Sequence, residues 1–255
     1  MRLVGPTLTA GAAIGLWYLA GGVLMSEGRK FLVPPPHEVF EKSVFDSGIR
    51  SELVEGFLIT GRASVVGLGI AIAIGLVTAV LMSQALWMED SLYPFAVLLQ
   101  TVPILAIVPL IGLLFGFNFT SRVIVTTIIA LFPIITNTLF GLKSPDRHQR
   151  DLFLLHEASR MQTLRKLHFP AAIPAVFAGF RISAGASVIG AIVGEFFFRQ
   201  GEPGLGILLD QYRAQLRMNE LYGAILYSAA LGLIMFRFFG WLGGRLTRDW
   251  IETGH

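Results

Sequence analysis

Residues 143–170 read KSPDRHQRDLFLLHEASRMQTLRKLHFP, a polar island between two long apolar runs, and that contrast decides how the chain folds. The island holds six of the chain's twenty Lys and Arg residues in 28 positions. Charge at that density belongs in water, whereas the flanking runs belong in lipid. Within it Leu152, Leu155 and Ser159 recur at i, i+3 and i+7, which predicts a short helix with charges around the remaining faces. A membrane protein that builds such an element presents it to a soluble partner.

Outward from the island the chain is far more apolar than a soluble domain. Of 255 residues 54% are hydrophobic and 15% charged, against about 25% charged in soluble domains. The formal charge of +3 is too small and too scattered for a nucleic-acid surface. With no cysteine, disulfides, thiolate metal sites and cysteine nucleophiles are excluded. A hydrocarbon core of about 30 Å needs about 20 apolar residues per helix, and six runs qualify or nearly so: 8–25, 57–82, 92–115, 123–142, 171–197 and 221–243. Period-2 alternation is absent, so the spans are expected to be helices in an all-α membrane protein. The first run reads as a retained helix rather than a signal peptide. Pro34, Pro35 and Pro36 end it, and an interfacial helix is expected in 37–53. An even number of spans puts both termini on one side, and the dense basic island makes that side the cytoplasm. Residues 1–255 read as a single transmembrane domain.

No phosphate-binding Gly-x-x-x-x-Gly-Lys-Ser/Thr loop is present, and the Gly-rich 201–206 reads as a turn outside the membrane. His156-Glu157 lacks the second histidine of a zinc protease, and all five histidines lie outside the predicted spans, which removes the usual base of an intramembrane protease. Polar residues at membrane depth are costly and tend to face an aqueous path or a bundle interior. Gln100, Thr101, Asn137, Arg181, Ser183 and Glu195 are the candidates, together with Pro103. Arg199 at i+4 is placed to pair with Glu195. Pro94, Pro103, Pro109, Pro133, Pro170 and Pro174 crowd spans three to five and mark them as expected walls of a path.

The island also carries a family resemblance. With Pro170 as anchor, Phe169, Leu167, Glu157 and Asp151-Leu152-Phe153 fall on the signature Glu-Ala-Ala, three residues, Gly, nine residues, Ile, one residue, Leu-Pro. The chain thus resembles the permease subunits of type I bacterial ABC importers. Ala158-Ser159-Arg160, Pro170-Ala171-Ala172-Ile173-Pro174, Gly179-Phe180-Arg181-Ile182, the run from Gln100 through Leu110, Phe132-Pro133-Ile134, Gly194-Glu195 and Gly204-Leu205-Gly206 are similar to the nitrate, sulfonate and taurine branch. The resemblance implies a six-helix permease of the bacterial inner membrane, paired with a second permease copy, identical or different. It implies cytoplasmic ABC ATPase subunits that carry the ATP and Mg, no cofactor on this chain, and an extracytoplasmic binding protein that delivers solute. The island helix would be the coupling helix, with Asp151, Leu152, Leu155, Glu157, Ala158, Ser159 and Arg160 at the ATPase. Glu157 stands where the signature has glycine; glutamate there implies either a longer coupling helix or an ion pair with a basic ATPase residue. The implied solute is a small anion such as nitrate, a sulfonate or taurine, with a thiamine pyrimidine precursor, riboflavin or an aromatic carboxylate as the alternative. A passive channel or ion-coupled carrier is the competing class.

Overall fold

The computed structural model describes residues 4–23 and 25–251, and every regular element among them is helical. In chain order these are α1 (Val4–Gly22), a 3-10 turn (Glu27–Leu32), α2 (Pro36–Phe40) continued by a π turn (Glu41–Phe45), α3 (Ser47–Gln84), α4 (Leu86–Thr101) and α5 (Ile104–Phe115). Then follow α6 (Phe119–Leu142), α7 (Arg147–Leu155), α8 (Arg160–Thr163), a second π turn (Leu164–His168), α9 (Phe169–Phe197), α10 (Leu205–Ala214) and α11 (Met218–Ile251).

Among the described residues four helices are long and apolar enough to cross a membrane: α3, α6, α11 and the continuous rod Arg160–Phe197 made by α8, the π turn and α9. The pair α4 and α5, bent by 98°, counts as a fifth if taken as one broken span. Helix α1, with five glycines in 19 residues, is not among them.

Several boundaries differ from the sequence expectation, each for a local reason. The second span starts at Ser47 rather than near 57, because Asp46 caps it: its Oδ1 accepts the Gly48 and Ile49 amides at 3.1 and 3.2 Å. The Lys42 hydrogen bond and the Ile49 amide hold the Asp46 carboxyl below its ordinary range, so the cap persists above that range and is lost as pH falls through the depressed value. The third span, expected to run unbroken over 92–115, breaks at Val102 and Pro103. Pro103 has no N–H to offer the carbonyl of Leu99 four residues earlier. The fifth span, expected to open at Pro170, begins with α8. The π turn carries the helix up to that proline, the Phe169 amide reaching back five residues to the Leu164 carbonyl.

Helix α6 is the centre of the bundle, packed most extensively on α9 and then on α3. In lipid, helices gain little from apolar burial alone and associate through close packing of small residues. Gly190 of α9 is one such contact: a Cβ there would stand 2.8 Å from the Thr126 Cα. Gly141 of α6 is another, with Ala172 Cα 2.9 Å from the same imagined atom. Gly190→Leu is therefore expected to force α6 and α9 apart and remove most of the monodisperse protein seen by size-exclusion chromatography in detergent; an unchanged profile would contradict this packing. Helix α11 is peripheral, with 11% of its most apolar window buried against 50% for α6.

Candidate functional site

Local sequence builds the island as two short helices joined by a tight turn. Asp146 caps α7 by accepting the Gln149 amide at 2.7 Å, and the Asp146 amide donates in return to Gln149 Oε1 at 3.1 Å. Ser159 and Gln162 repeat that reciprocal box at the start of α8, at 3.3 and 2.8 Å. Between them the Glu157 amide donates to Leu154 O and the Ala158 amide to Phe153 O, both at 3.0 Å. That pattern is the helix-ending motif in which one residue adopts the left-handed conformation. Glu157 is that residue, at φ 49°.

The longer coupling helix is thereby corrected. Glu157 ends α7 instead of extending it, and takes the backbone shape of the glycine it replaces. A left-handed non-glycine costs about 1 kcal/mol, so Glu157→Gly is expected to stabilise the turn. Amide hydrogen exchange at 157 and 158 should slow about fivefold; faster exchange would contradict the assignment.

The island's apolar side chains are displayed rather than buried. Leu152, Leu154 and Leu155 are 53%, 72% and 82% exposed, on a helix with no buried residue, while Phe153 turns partly inward. Asp151 sits on the exposed surface, 3.9 Å from Arg147. Ala158 is half-buried in the turn, and Arg160 opens α8 in solvent. Ser159, expected on the leucine stripe, leaves it to cap α8. Leu154 and Met161, the latter 61% exposed, belong to the displayed surface although the i, i+3, i+7 spacing passes over both. The platform is fastened to the bundle by the Lys143–Glu89 ion pair, by the His168 Nδ1–H donating to Leu142 O at 2.6 Å, and by buried Leu167.

At the α4–α5 bend a cavity of about 520 Å³ opens between these helices, α6 and α9. Gln100, Thr101 and Pro103 line it together with Phe132, Pro133 and Ile189. Asn137 lies one turn beyond Pro133 and donates to its carbonyl at 2.8 Å. The other expected path residues are elsewhere. Ser183 is buried, donating to Ala130 O at 2.7 Å. Arg181 lies over the Phe236 ring, 4.0 Å from its centroid, on the side facing α11.

Glu195 is fully buried at the end of the bundle away from the island. Arg199 pairs with Asp210 and leaves Glu195 to other partners. Both carboxylate oxygens are within 3.0 Å of Thr60 Oγ1, Oε2 accepts the Gly206 amide at 2.8 Å, and Arg122 Nη1 stands 4.0 Å from Oε1. Arg122, 3% exposed, also donates to the carbonyls of Phe198, Gln200 and Glu202. Arg122 falls outside the expected spans, one residue before the one starting at 123; a lone arginine beside an apolar run was the available signal.

The model of the binding-protein-dependent transport system inner membrane component matches residues 71–248. The chain belongs to that family. Membership makes it a multi-pass permease component of the inner membrane with the type I permease fold, and the ATPase of such a system is a partner subunit. Among relatives of this permease, the formylaminopyrimidine transport permease protein of Halalkalibacterium halodurans is 29% identical over 91% of the chain and 90% of its own length. The riboflavin transport system permease protein of Chloroflexus aurantiacus is 34% identical over 58% of the chain and 55% of its own length. The putative aliphatic sulfonates transport permease protein of Bacillus subtilis is 29% identical over 59% and 54%.

Proposed function

We propose that this chain is the translocating subunit of an ATP-driven importer, in which α7 docks into a groove of a cytoplasmic ABC ATPase and solute passes the cavity at the α4–α5 bend. The displayed Leu152, Leu154 and Leu155 carry this reading, because apolar side chains held outward on a capped helix gain nothing until a partner covers them. The island is then cytoplasmic, and a cytoplasmic N-terminus as well requires α1 to cross as a further span. A second permease copy completes the path, ATP and Mg reside on the ATPase, and an extracytoplasmic binding protein delivers solute. ATP drives alternating access through its different affinity for the two states.

The cavity speaks to solute class. Gln100 and Thr101 give it amide and hydroxyl groups, no charged residue among those described lines it, and Arg181 stands off over Phe236. A desolvated anion there lacks a counter-charge, so the reading moves from the small anion to the uncharged heterocycle, the class named for the formylaminopyrimidine relative. Nitrate, sulfonate or taurine is the second reading, supported by the sulfonate and nitrate permeases among the relatives.

Uptake into proteoliposomes containing the permease, its ATPase and its binding protein tests both points. ATP-dependent accumulation of labelled formylaminopyrimidine is expected. Accumulation of labelled taurine or nitrate alone would reverse the solute assignment, and uptake that persists without the ATPase would indicate a channel or ion-coupled carrier.

A further inference from the structure

Helix α10 is a short helix at the end of the bundle away from the island, with Leu205, Gly206, Ile207, Leu208, Asp210 and Tyr212 all buried. Its first two amides are both claimed by side chains of other helices. The Leu205 N–H donates to Thr60 Oγ1 at 2.8 Å, and the Gly206 N–H donates to Glu195 Oε2 at 2.8 Å. The Thr60 hydroxyl in turn donates to the same carboxylate, so α3, α9 and α10 meet in one connected set of hydrogen bonds. The carboxylate occupies the N-terminus of α10, where the helix dipole favours a negative charge. The fit leaves no spare room, since a Cβ on Gly204 or Gly206 would run into Glu195.

From this geometry we infer that Thr60 and Glu195 are positioning residues for transport: they clasp α10 to α9, so that the outer-end helix travels with the rod that starts at the island. The inference rests on the importer reading above for its mechanical meaning. Arg160–Phe197 is one uninterrupted helical rod of 38 residues, about 57 Å long at 1.5 Å per residue. Its first turns belong to the platform that carries α7, and Glu195 lies in its last turn. A displacement at the platform therefore arrives at Glu195, and the clasp hands it to α10. An apolar contact would hold these helices together as firmly as a buried carboxylate does. What the carboxylate adds is direction, because only one placement of α10 satisfies all the donors.

The chain has no cysteine, so a pair of introduced cysteines can be spin-labelled without background from the permease itself, the labelling being done before the ATPase is added. Ile182→Cys on α9 and Gln211→Cys on α10 are both at exposed positions. The distance distribution between the labels is measured by pulsed electron spin resonance in the assembled transporter, with labelled permease diluted into unlabelled permease so that only one copy per complex is labelled, without nucleotide and with ATP and vanadate. With the clasp intact it should be narrow and the same in both states. Thr60→Val and Glu195→Gln should broaden it at least about twofold, and Thr60→Ser, which keeps the hydroxyl, should restore the native width. Distributions as narrow in Thr60→Val and Glu195→Gln as in the parent would overturn the clasp, as would a Thr60→Ser distribution as broad as that of Thr60→Val. If Glu195→Gln does not assemble, the two Thr60 variants decide alone. Co-elution of the ATPase is scored on the same samples: its absence from the parent would count against the importer reading, while the nucleotide-free widths still judge the clasp.

Discussion

Replacing Leu154 and Leu155 together by aspartate is expected to abolish ATP-driven uptake and to strip the ATPase from the purified complex, while the permease itself inserts and folds normally. The side chains are 72% and 82% exposed, so the bundle loses almost no packing. The capping box at Asp146 and the turn at Glu157 hold α7 in shape whatever stands at 154 and 155. A buried apolar anchor at an interface typically contributes at least about 2 kcal/mol. Losing two, and placing charges against an apolar groove, weakens docking by at least about 4 kcal/mol, or about a thousandfold. The measurement is ATPase co-purification alongside uptake, with the melting temperature of the permease as control. Wild-type co-purification by the double variant would place the docking surface elsewhere.

Arg122→Ala carries the largest expected loss of stability. Arg122 is 3% exposed, stands 4.0 Å from Glu195, and ties the carbonyls of Phe198, Gln200 and Glu202 to α6. Its removal leaves a buried carboxylate short of its counter-charge and three carbonyls short of a donor. Breaking a buried pair from one side costs about 3–5 kcal/mol. The folded yield in detergent and the melting temperature should both fall sharply. Arg62→Ala, which removes an exposed arginine resting on the Phe119 ring, should change them little. Equal melting of the Arg122 variant and the parent would contradict the clasp geometry.

How much of this was legible in the sequence follows from the range of the interactions. The island was readable because its charge density and the spacing of Leu152 and Leu155 are local signals; the caps pairing Asp146 with Gln149 and Ser159 with Gln162 are as local, each three residues apart, but went unread, and Ser159 was placed on the leucine stripe instead. Glu157 misled because intrinsic propensity favours continuing a helix, whereas the Phe153 and Leu154 carbonyls and the next cap at Ser159 demand a turn there. Leu154 was passed over because a spacing rule selects one face of a helix, and α7 displays more than one. Pro103 marked a weakness in the third span, but a missing amide does not say whether a helix bends gently or by 98°. The Glu195 cluster was least legible. Thr60 is 135 residues from Glu195 and Arg122 lies 78 from Gln200, separations at which only the folded bundle assigns partners. Arg199 was the sequence-adjacent partner for Glu195, yet the structure gives it to Asp210.

Hydrogen–deuterium exchange of the detergent-purified permease, alone and with its ATPase, tests the central claim most directly. The account predicts protection concentrated in Arg147–Leu155 and the following turn, with the opposite end around 198–217 unchanged. Protection absent from the island, or appearing instead at 198–217, would contradict it.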